Sequence, residues 1–367
     1  MKRMKTISHL TIVLILTICG ACQTQPTGTV VEIKGEQFFV NGKPTYEGRV
    51  WNGHRIEGLL INSRMVQGVF DDLNPETVKL FAYPDTKTWD ADRNTDEFVE
   101  AMEKWYSYGM NSFTLNMQGG SPTGYGNKDW LNPAFHKDGS LMDAYMLRLE
   151  RILKKADELR MVVMLGFFYF GQDQHLEDEA AITNATRNMV NWLFDRGYRN
   201  VLIEICNESR HRKYEHDILM PDRVHELINL VKGMERNGYH YLVTTSFTGK
   251  TVPPANVVGV SDYLLIHGNG AKSHHELQAL IDSTRNVENF TPMPVVVNED
   301  DHYGYDLENN NFNTAIQNYV SWGYFDFRRE GETDIKEGYQ SVPVDWGVNS
   351  DRKKDFFNKV KEITGGN

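Results

Sequence analysis

Two glutamates in this sequence each follow an apolar run with the composition of a buried strand. Glu208 ends VLIEICNE and Glu299 ends PVVVNE, 91 positions further along the chain. Of two facing carboxyl groups, one can protonate a leaving glycosidic oxygen while the other attacks the anomeric carbon or activates water. The two residues therefore predict hydrolysis of glycosidic bonds, provided that the fold brings both to one cleft.

Polar residues at the ends of other apolar runs are candidates for binding a substrate. Arg64 in INSRMV can bind a sugar hydroxyl or the Glu299 carboxylate, and an ordinary loop ion pair is the alternative. Asn116 and Gln118 in LNMQGG carry amides that can make the paired hydrogen bonds sugars need, or can cap the loop instead. Tyr169 in GFFYFG is a further candidate, among phenylalanines that we assign to the core.

Two other sets of residues could support or line the site. Glu204 lies four residues before Glu208, so strand alternation points both side chains to the same side. We expect Glu204 to be buried below the site and to have a structural role. Tryptophans in predicted loops can stack on sugar rings or pack the loops: Trp89, Trp130 and Trp346.

A repeating pattern of strands and helices must position these residues. The apolar runs span 58–65, 111–117, 161–170, 200–206, 241–247, 262–267, 294–299 and 323–327. Amphipathic segments such as DEFVEAMEKWYSYG and AYMLRLERILKKADELR separate them, with apolar residues at helical spacing. The pattern predicts an α/β fold, a (β/α)8 TIM barrel, in which loops at the C-terminal strand ends carry the active site. A doubly wound open sheet is the alternative, but no G-x-G-x-x-G follows the first run.

The predicted barrel also explains the spacing of the two glutamates. Glu208 would follow strand four and Glu299 strand seven, three units of about 30 residues apart. A hairpin in VVEIKGEQFFVNGKPTY precedes the barrel, and no internal repeat or low-complexity linker interrupts the chain. We therefore predict one domain over residues 29–367.

The sequences around both glutamates resemble the signatures of clan-A glycoside hydrolases, the cellulase-like (β/α)8 enzymes that retain anomeric configuration. IEICNE resembles their motif after strand four, PVVVNE the motif after strand seven, and FFVNGKPTY the segment before the barrel. The resemblance implies that Glu208 is the acid/base, Glu299 the nucleophile and Asn207 the partner of the sugar 2-hydroxyl. It implies a retaining β-glycosidase of oligo- or polysaccharides that needs no cofactor. A proton donor in this role needs a raised pKa, which we expect for Glu208.

The sequence departs from the clan's pattern at three places. Ser209 follows the Asn-Glu pair, where proline is usual, and His267 in YLLIHGNG stands where strand six commonly ends in tyrosine. A histidine can donate the same hydrogen bond, but its charge changes near neutral pH. The sugar platform usual after strand eight has three candidates, Trp322, Tyr324 and Phe325.

Two alternatives to the glycosidase stay open. A metal-dependent TIM-barrel hydrolase or isomerase could use Glu299, Asp301, His302 and His267, because carboxylates and imidazoles bind divalent ions. The H-x-H and H-x-x-x-H pairs typical of such hydrolases are absent from the sequence. Asp301 and His302 are otherwise candidates for substrate binding. An inactive carbohydrate-binding barrel is the second alternative, but it would need neither glutamate.

Composition limits the partners of the chain. Its 367 residues are 40% hydrophobic, which suits a large core, and its formal net charge of −11 argues against a nucleic-acid surface. We expect a carbohydrate substrate that is neutral or non-phosphorylated, and no nucleic acid.

The N-terminal residues predict export. A basic start and the apolar segment 7–18 are typical of a signal peptide, which we place at residues 1–21. CGAC resembles a bacterial lipoprotein cleavage box, so Cys22 would carry the lipid and 22–28 would form a tether to the cell envelope. Secretion without a lipid is the alternative. Only Cys206 then stays inside the domain, so no internal disulfide is expected.

Overall fold

The computed structural model describes residues 28–123 and 129–367. The predicted signal peptide and Cys22 lie outside the described residues. None of the helices in the described part of the chain is long and apolar enough to cross a membrane. Cys206 is buried as a free thiol.

Short antiparallel strands form the N-terminal part of the fold. Strands β1 (Val31–Lys34), β2 (Gln37–Val40) and β3 (Lys43–Pro44) make one sheet, and β4 (Val50–Trp51) pairs with β5 (His54–Arg55). Asn41 and Gly42 take positive φ angles between β2 and β3, as a tight hairpin turn requires. The predicted N-terminal hairpin is therefore present.

Eight parallel strands form the barrel. They are β6 (Ile61–Ser63), β7 (Ser112–Asn116), β8 (Val162–Tyr169), β9 (Val201–Asn207), β10 (Leu242–Thr244), β11 (Leu264–His267), β12 (Val295–Asp300) and β13 (Ser321–Tyr324). Two sheets, β7 to β10 and β11-β12-β13-β6, contain all of them. Met65 N donates to Thr114 O at 2.9 Å and Asp262 N to Val243 O at 3.1 Å, which closes both seams. The closed ring confirms the (β/α)8 barrel and excludes the open sheet.

Helices cover the outside of the ring. They are α1 (Ala91–Ser107), α2 (Asp143–Leu159), α3 (Glu179–Arg196), α4 (Val224–Lys232), α5 (Ala255–Val258), α6 (His274–Arg285), α7 (Asn311–Gln317) and α8 (Asp351–Thr364). Helix α1 begins earlier than its apolar pattern because the Asp90 side chain accepts a hydrogen bond from Arg93 N. The large apolar cluster lies between these helices and the strands.

The N-terminal sheet closes one end of the barrel. Val31 N donates to Arg199 O at 2.9 Å and Phe38 N to Gly58 O at 2.8 Å, both just before barrel strands. Phe38 belongs to a second apolar cluster with strand residues such as Leu202. The site residues must therefore lie at the opposite end, where the strands finish.

Candidate active site

Local backbone irregularities present the two glutamates at the barrel mouth. Glu208 directly follows β9 with φ of 55°, and its N–H donates to Ser246 Oγ at 3.0 Å. Strand β12 carries one residue more than β11 between the pairs Val297–Ile266 and Glu299–His267. Such a bulge re-aims the side chains around it. The turn after β9 and the bulge in β12 thus place the two carboxylates where the strands end.

The fold brings Glu208, Glu299 and His267 together. One oxygen of each glutamate and one imidazole nitrogen of His267 all lie within 4.8 Å of one another. His267 Nδ1 is 3.2 Å from Glu208 Oε1 and 3.7 Å from Glu299 Oε2. The side chains of Glu208 and Glu299 are 14% and 5% exposed, so Glu208 has the greater access to solvent. Glu208 and Glu299 therefore lie close together, as the sequence spacing predicted.

A cation and a hydrogen-bond donor hold the Glu299 carboxylate. Arg64 Nε lies 3.0 Å from Oε2, and Asn269 Nδ2 donates to Oε1 at 2.5 Å. Arg64 Nε also donates to Gln340 Oε1 at 3.1 Å. Burial lowers the pKa of Arg64, but the Glu299 charge and other nearby groups outweigh burial and leave this pKa raised. Arg64 thus stays a cation inside the site.

The pKa of Glu208 is lowered, whereas we expected it to be raised. Burial raises it, but the hydrogen bond and charge of His267, together with the charge of Arg64, outweigh burial and lower it. Burial lowers the pKa of His267, whereas Glu299 and Glu208 raise it and prevail. The expected raised pKa of Glu208 is therefore wrong for the site without substrate, because the imidazole of His267 and the Arg64 cation favour the ionised carboxylate.

Several polar atoms of the site are buried without a hydrogen-bond partner among the described residues. They include Asn207 Oδ1, Arg64 Nη1, His267 Nε2, Asn116 Nδ2 and Glu299 Oε2. A buried polar group without a partner costs about 1–3 kcal/mol, which a ligand that binds the group can offset. Asn207 and Arg64 flank the two glutamates and are thus suited to hydrogen-bond hydroxyl groups.

Tyr169, Asn116 and Gln118 differ in their relation to the glutamates. The Tyr169 hydroxyl lies 3.1 Å from Ser121 Oγ; burial raises its pKa, which also responds to Arg64, Glu208 and Glu299. Asn116 lies deeper. Its Oδ1 accepts from Gln118 N at 2.9 Å.

Gln118 is occupied by the loops around it. Its Oε1 accepts from Tyr169 N at 2.9 Å, and its Nε2 donates to Gln172 O at 3.3 Å. Both the oxygen and the nitrogen of the Gln118 amide are therefore already hydrogen-bonded to backbone atoms, as the loop-capping alternative predicts.

Glu204 and Asn116 lie side by side beneath the glutamates. A Cβ atom on Gly166 would come within 2.3 Å of Asn116 Nδ2 and 3.2 Å of Glu204 Oε2, so glycine makes room for both. Glu204 is fully buried, and burial raises its pKa while Ser246 and Arg64 oppose the rise. It is a support of the site floor rather than a group that substrate can reach.

The proposed platform role of Trp322 is incompatible with its position. Trp322 is fully buried, stacks on Phe312 at 4.4 Å between centroids and donates from Nε1 to Asp300 Oδ2 at 3.0 Å. It has no ring face for a sugar. Tyr324 is equally buried against Phe356. Phe325 is buried as well, but its ring lies 5.7 Å from the Arg64 guanidinium. Phe325 is the strand-eight aromatic that borders the site.

The loop tryptophans mostly pack the structure. Trp89 stacks on Tyr83, and Trp346 is buried with Nε1 donating to Asn94 Oδ1 at 3.1 Å. Trp130 is also buried in the apolar cluster, but it borders a surface pocket together with Phe170.

Asp301 and His302 belong to a group separate from the glutamates. Potential metal ligands among the described residues form two sets, one with Glu208, His267 and Glu299, the other with Asp300, Asp301 and His302. His302 Nδ1 lies 2.5 Å from Asp300 Oδ1, and its Nε2 lies 2.7 Å from Ala271 O. Hydrogen bonding to Asp300 raises the pKa of His302 to about 9, against the effect of burial. This imidazole is a protonated clamp between two loops.

Neither set of ligands fits a divalent ion. In the first, the Arg64 guanidinium already occupies a position 3.0 Å from Glu299 and would repel a second cation. In the second, Asn311 and Trp322 donate to Asp300 and both nitrogens of His302 face acceptors. The metal-dependent alternative therefore lacks a suitable centre among the described residues.

Two residues of the site were not anticipated from the sequence. Asn269 holds Glu299 from the loop after β11, and Gln340 accepts from Arg64 although 276 positions separate them. Asn269 could have been found, since it follows the end of a strand by two residues. Gln340 comes from a long loop without a local pattern.

No protein-family model matches this chain. No curated protein matches it either. Solved structures match it over most of its length. A family 5 glycoside hydrolase from Bacteroides vulgatus aligns with a TM-score of 0.54 and 13% identity, over 92% of this chain and 70% of that one.

Two enzymes from Rhizomucor miehei are similar to a comparable degree. A family 5 mannosidase gives a TM-score of 0.53 at 12% identity, covering 91% of this chain and 97% of its own. An endo-1,4-β-mannanase gives 0.53 at 9% identity, covering 92% and 99%. At these identities the likeness establishes a common barrel fold.

Proposed function

We propose that this chain is a retaining glycoside hydrolase with Glu299 as nucleophile and Glu208 as acid/base. The observation that carries the proposal is that one oxygen of Glu208 and one oxygen of Glu299 lie within 4.8 Å of each other at the barrel mouth. Retaining enzymes separate these groups by about 5–5.5 Å, whereas inverting enzymes leave about 6.5–9.5 Å for a water molecule. The short separation supports direct attack by one carboxylate.

The surroundings of each carboxylate support this division of roles. Arg64 and Asn269 fix both oxygens of Glu299, as a nucleophile needs for a defined line of attack. Glu208 is more exposed and shares a hydrogen bond with an ionisable imidazole, so it can lose and regain a proton in each cycle. Clan-A glycoside hydrolases divide the roles in the same way, which the resemblance extends to this chain.

The reaction then proceeds in two displacements. A Glu299 oxygen attacks the anomeric carbon, the glycosidic C–O bond breaks, and the leaving oxygen takes the proton of Glu208. Binding of that oxygen beside Glu208 favours transfer of the shared proton from His267 to the carboxylate. Water next gives a proton to Glu208 and attacks the same carbon, which releases Glu299. Asn207 and Arg64 supply hydrogen bonds to the sugar hydroxyls.

The first substrates to test are β-linked hexosides. The similar structures include a mannosidase and an endo-1,4-β-mannanase, so β-mannosides and β-mannan head the panel. We place the enzyme at the cell envelope through a lipid on Cys22. An inactive binding barrel of the same shape would bind such sugars without turnover.

A mechanism-based trap tests this function. A panel of 2-deoxy-2-fluoro-β-glycosides with a dinitrophenolate leaving group should leave one glycosyl adduct on the protein, and peptide mapping should place it on Glu299. Glu299→Gln should give no adduct, while Glu308→Gln, which removes an exposed carboxylate in the following loop, should label normally. An adduct on another residue rules out the assigned nucleophile. Hydrolysis without an adduct, with inverted product, rules out retention.

Replacement of the acid/base residue Glu208 provides a second test of the proposed function. Glu208→Ala should lose about 10²–10⁴-fold on substrates with poor leaving groups, because no group then protonates the departing oxygen. Dinitrophenyl glycosides need no such proton, so their first step should be largely preserved. Equal losses on both kinds of substrate would show that Glu208 is not the acid.

A further inference from the structure

We propose that the basic loop after Glu208 forms, with Phe170 and Trp130, a subsite for an anionic sugar on the leaving-group side of the active site. The basic loop is residues 210–213, Arg-His-Arg-Lys. The assignment to the leaving-group side rests on the proposed function. The ligand is a sugar bearing a carboxylate or a sulfate ester.

A surface pocket provides the space. Trp130, Phe170, Gly171, Gln174, Arg212, Lys213 and Glu215 line it, and its volume is about 230 Å³. This volume is smaller than the roughly 300–1,000 Å³ of pockets that enclose whole ligands. It suits one unit of a longer chain, with two exposed cations at the edge and the nearly buried rings of Trp130 and Phe170 in the wall.

A stack of rings joins this pocket to the active site. Tyr169 packs on Phe170 with centroids 4.1 Å apart, and Phe170 packs on His211 at 3.7 Å with an interplanar angle of 15°. Tyr169 lies within the electrostatic influence of both catalytic glutamates. His211, the outermost ring, is only half-buried. The stack therefore runs outward from the active site to the basic loop.

The pocket adjoins Glu208 rather than Glu299. His211 N donates to Glu208 O at 2.7 Å, and the Glu208 charge acts on the imidazole. The partners of Glu299 are the Arg64 cation and the Asn269 amide, which follow other strands. Because Glu208 protonates the leaving oxygen in the proposed mechanism, the sugar that departs lies on the side of the basic loop.

The cations of this loop have no carboxylate partner. Arg212 and Lys213 are exposed and form no ion pair in residues 28–123 and 129–367, whereas Arg223 pairs with both Glu179 and Glu226. The other segments, 1–27 and 124–128, contain no Asp or Glu that could pair with them. Glu215 lines the pocket but does not reach either cation within ion-pair distance. The chain has a formal net charge of −11, whereas this loop is positively charged.

The charges of the loop act on the same small region. Burial first, and then the charges of Lys213 and Arg212, lower the pKa of His211, against the opposing effect of Glu208. Lys213 Nζ also lies 5.8 Å from the centroid of Phe170. Guanidinium and ammonium groups bind carboxylates and sulfates through charge-assisted hydrogen bonds. The overall negative charge, which favours a neutral or non-phosphorylated substrate, thus does not describe this part of the cleft, where the local charge is positive.

Binding to inactive protein tests the subsite without relying on turnover. In the Glu299→Gln background, affinity electrophoresis should show stronger retardation by polygalacturonate or a sulfated galactan than by neutral galactomannan. Adding Arg212→Gln and Lys213→Gln should weaken binding of the anionic polymers by about tenfold, the effect of two partly exposed charge pairs. The two anionic polymers show whether carboxylate or sulfate is preferred.

A matched pair of substitutions controls for overall charge. Lys34→Gln with Lys43→Gln removes the same charge from the N-terminal sheet at the far end of the barrel, and should leave retardation unchanged. Equal weakening by both pairs, or no weakening by the loop pair, overturns the subsite. If the loop pair alone weakens binding while no glycoside is hydrolysed by the wild-type protein, the subsite stands and the proposed function fails. If the wild-type protein hydrolyses a glycoside while the loop pair leaves binding of the anionic polymers unchanged, the proposed function stands and the subsite fails.

Discussion

Nδ1 of His267 lies 3.2 Å from Oε1 of Glu208, at the point where strands β9 and β11 reach the barrel mouth. The imidazole is fully buried and faces Glu299 as well, at 3.7 Å. The two carboxylates raise the pKa of His267 despite its burial, and the imidazole lowers the pKa of Glu208. His267 and Glu208 therefore share one proton, which the proposed reaction needs on Glu208 at the moment of bond cleavage.

The shared proton predicts the pH dependence of activity. The proton is lost from the pair at a pKa above the ordinary 6.5 of histidine, so kcat/KM should stay high until the pH exceeds that value. In His267→Gln the amide keeps a hydrogen bond but holds no proton, so Glu208 alone must retain it. The alkaline limb should then move to lower pH, because a shared proton is lost later than one held by either group alone.

A pH profile of kcat/KM for both proteins measures this shift. Thr248→Val, in the neighbouring loop, gives a control variant with no ionisable group changed. An alkaline limb at the same pH in wild type and His267→Gln would show that His267 does not share the proton.

Arg64 is expected to stabilise the fold through Glu299. Both side chains are almost completely buried, so removing the guanidinium leaves a buried carboxylate without its permanent cation, with only Asn269 and His267 beside it. Breaking such a pair costs about 3–5 kcal/mol, so Arg64→Met should lower the free energy of unfolding by that amount. Adding Glu299→Gln should restore part of the loss. Urea unfolding of the single and double variants measures both effects.

An exposed pair gives the comparison for Arg64. Arg223 lies 2.8 Å from Glu179, and each side chain is 38% exposed. Arg223→Met should cost less than about 1 kcal/mol, since water replaces the lost partner. Similar losses for Arg64→Met and Arg223→Met would contradict the uncompensated buried charge.

The placement of Glu208 and Glu299 at one end of the barrel was predictable, because it depends on the local sequence pattern and on barrel geometry. The apolar runs before Glu208 and Glu299 fix where two strands end, and a barrel brings such ends together. The relation of Arg64 to Gln340 was not predictable, because it depends on the path of a long loop.

Trp322 shows how a small error in strand limits changes a residue's role. The predicted run began at 323, but β13 begins at Ser321, and Trp322 pairs with Val297 and Ile61 in register. All three side chains belong to the apolar cluster between strands and helices. The predicted limits placed Trp322 just before the strand. Neither that position nor one inside the strand lies at the C-terminal end, where side chains can face a ligand.

Activity should not depend on a divalent ion. Arg64 supplies the positive charge beside Glu299 that a metal would otherwise provide. In the second set of potential ligands, Asp300 and His302 are hydrogen-bonded to each other. Hydrolysis of the best substrate should therefore be unchanged after prolonged treatment with a chelator and gel filtration. Loss of activity that one divalent ion restores would assign Glu208, His267 and Glu299 to a metal centre instead.

Cys22 should carry a lipid. The basic start, the short apolar segment and the small residues before Cys22 predict processing that leaves this cysteine as the new N-terminus. A radioactive fatty acid should label the wild-type protein in a bacterial host but not Cys22→Ala, with Cys19→Ala as the matched control. Equal labelling of wild type and Cys22→Ala, or none in either, would contradict lipidation at this residue.

His302 should make stability fall at alkaline pH. Its Nδ1 donates to Asp300 and its Nε2 to Ala271 O, so the imidazole needs both protons to link the loops after β12 and β11. These loops carry the neighbours of Glu299, including Asn269. The pKa of His302 is raised to about 9 in the folded protein, so its contribution is complete below the unfolded value of about 6.5. The contribution is lost as the pH rises through about 9.

Thermal unfolding across this range tests the clamp. The Tm of His302→Gln should lie below that of wild type at pH 6, because glutamine cannot supply both donors and the positive charge. The difference should shrink between pH 8 and pH 10 as wild-type His302 loses its second proton. His54→Gln in β5 serves as the control for the general effect of replacing a histidine. A difference in Tm that is constant across the whole range would mean that His302 acts without its charge, as a neutral hydrogen-bonding residue.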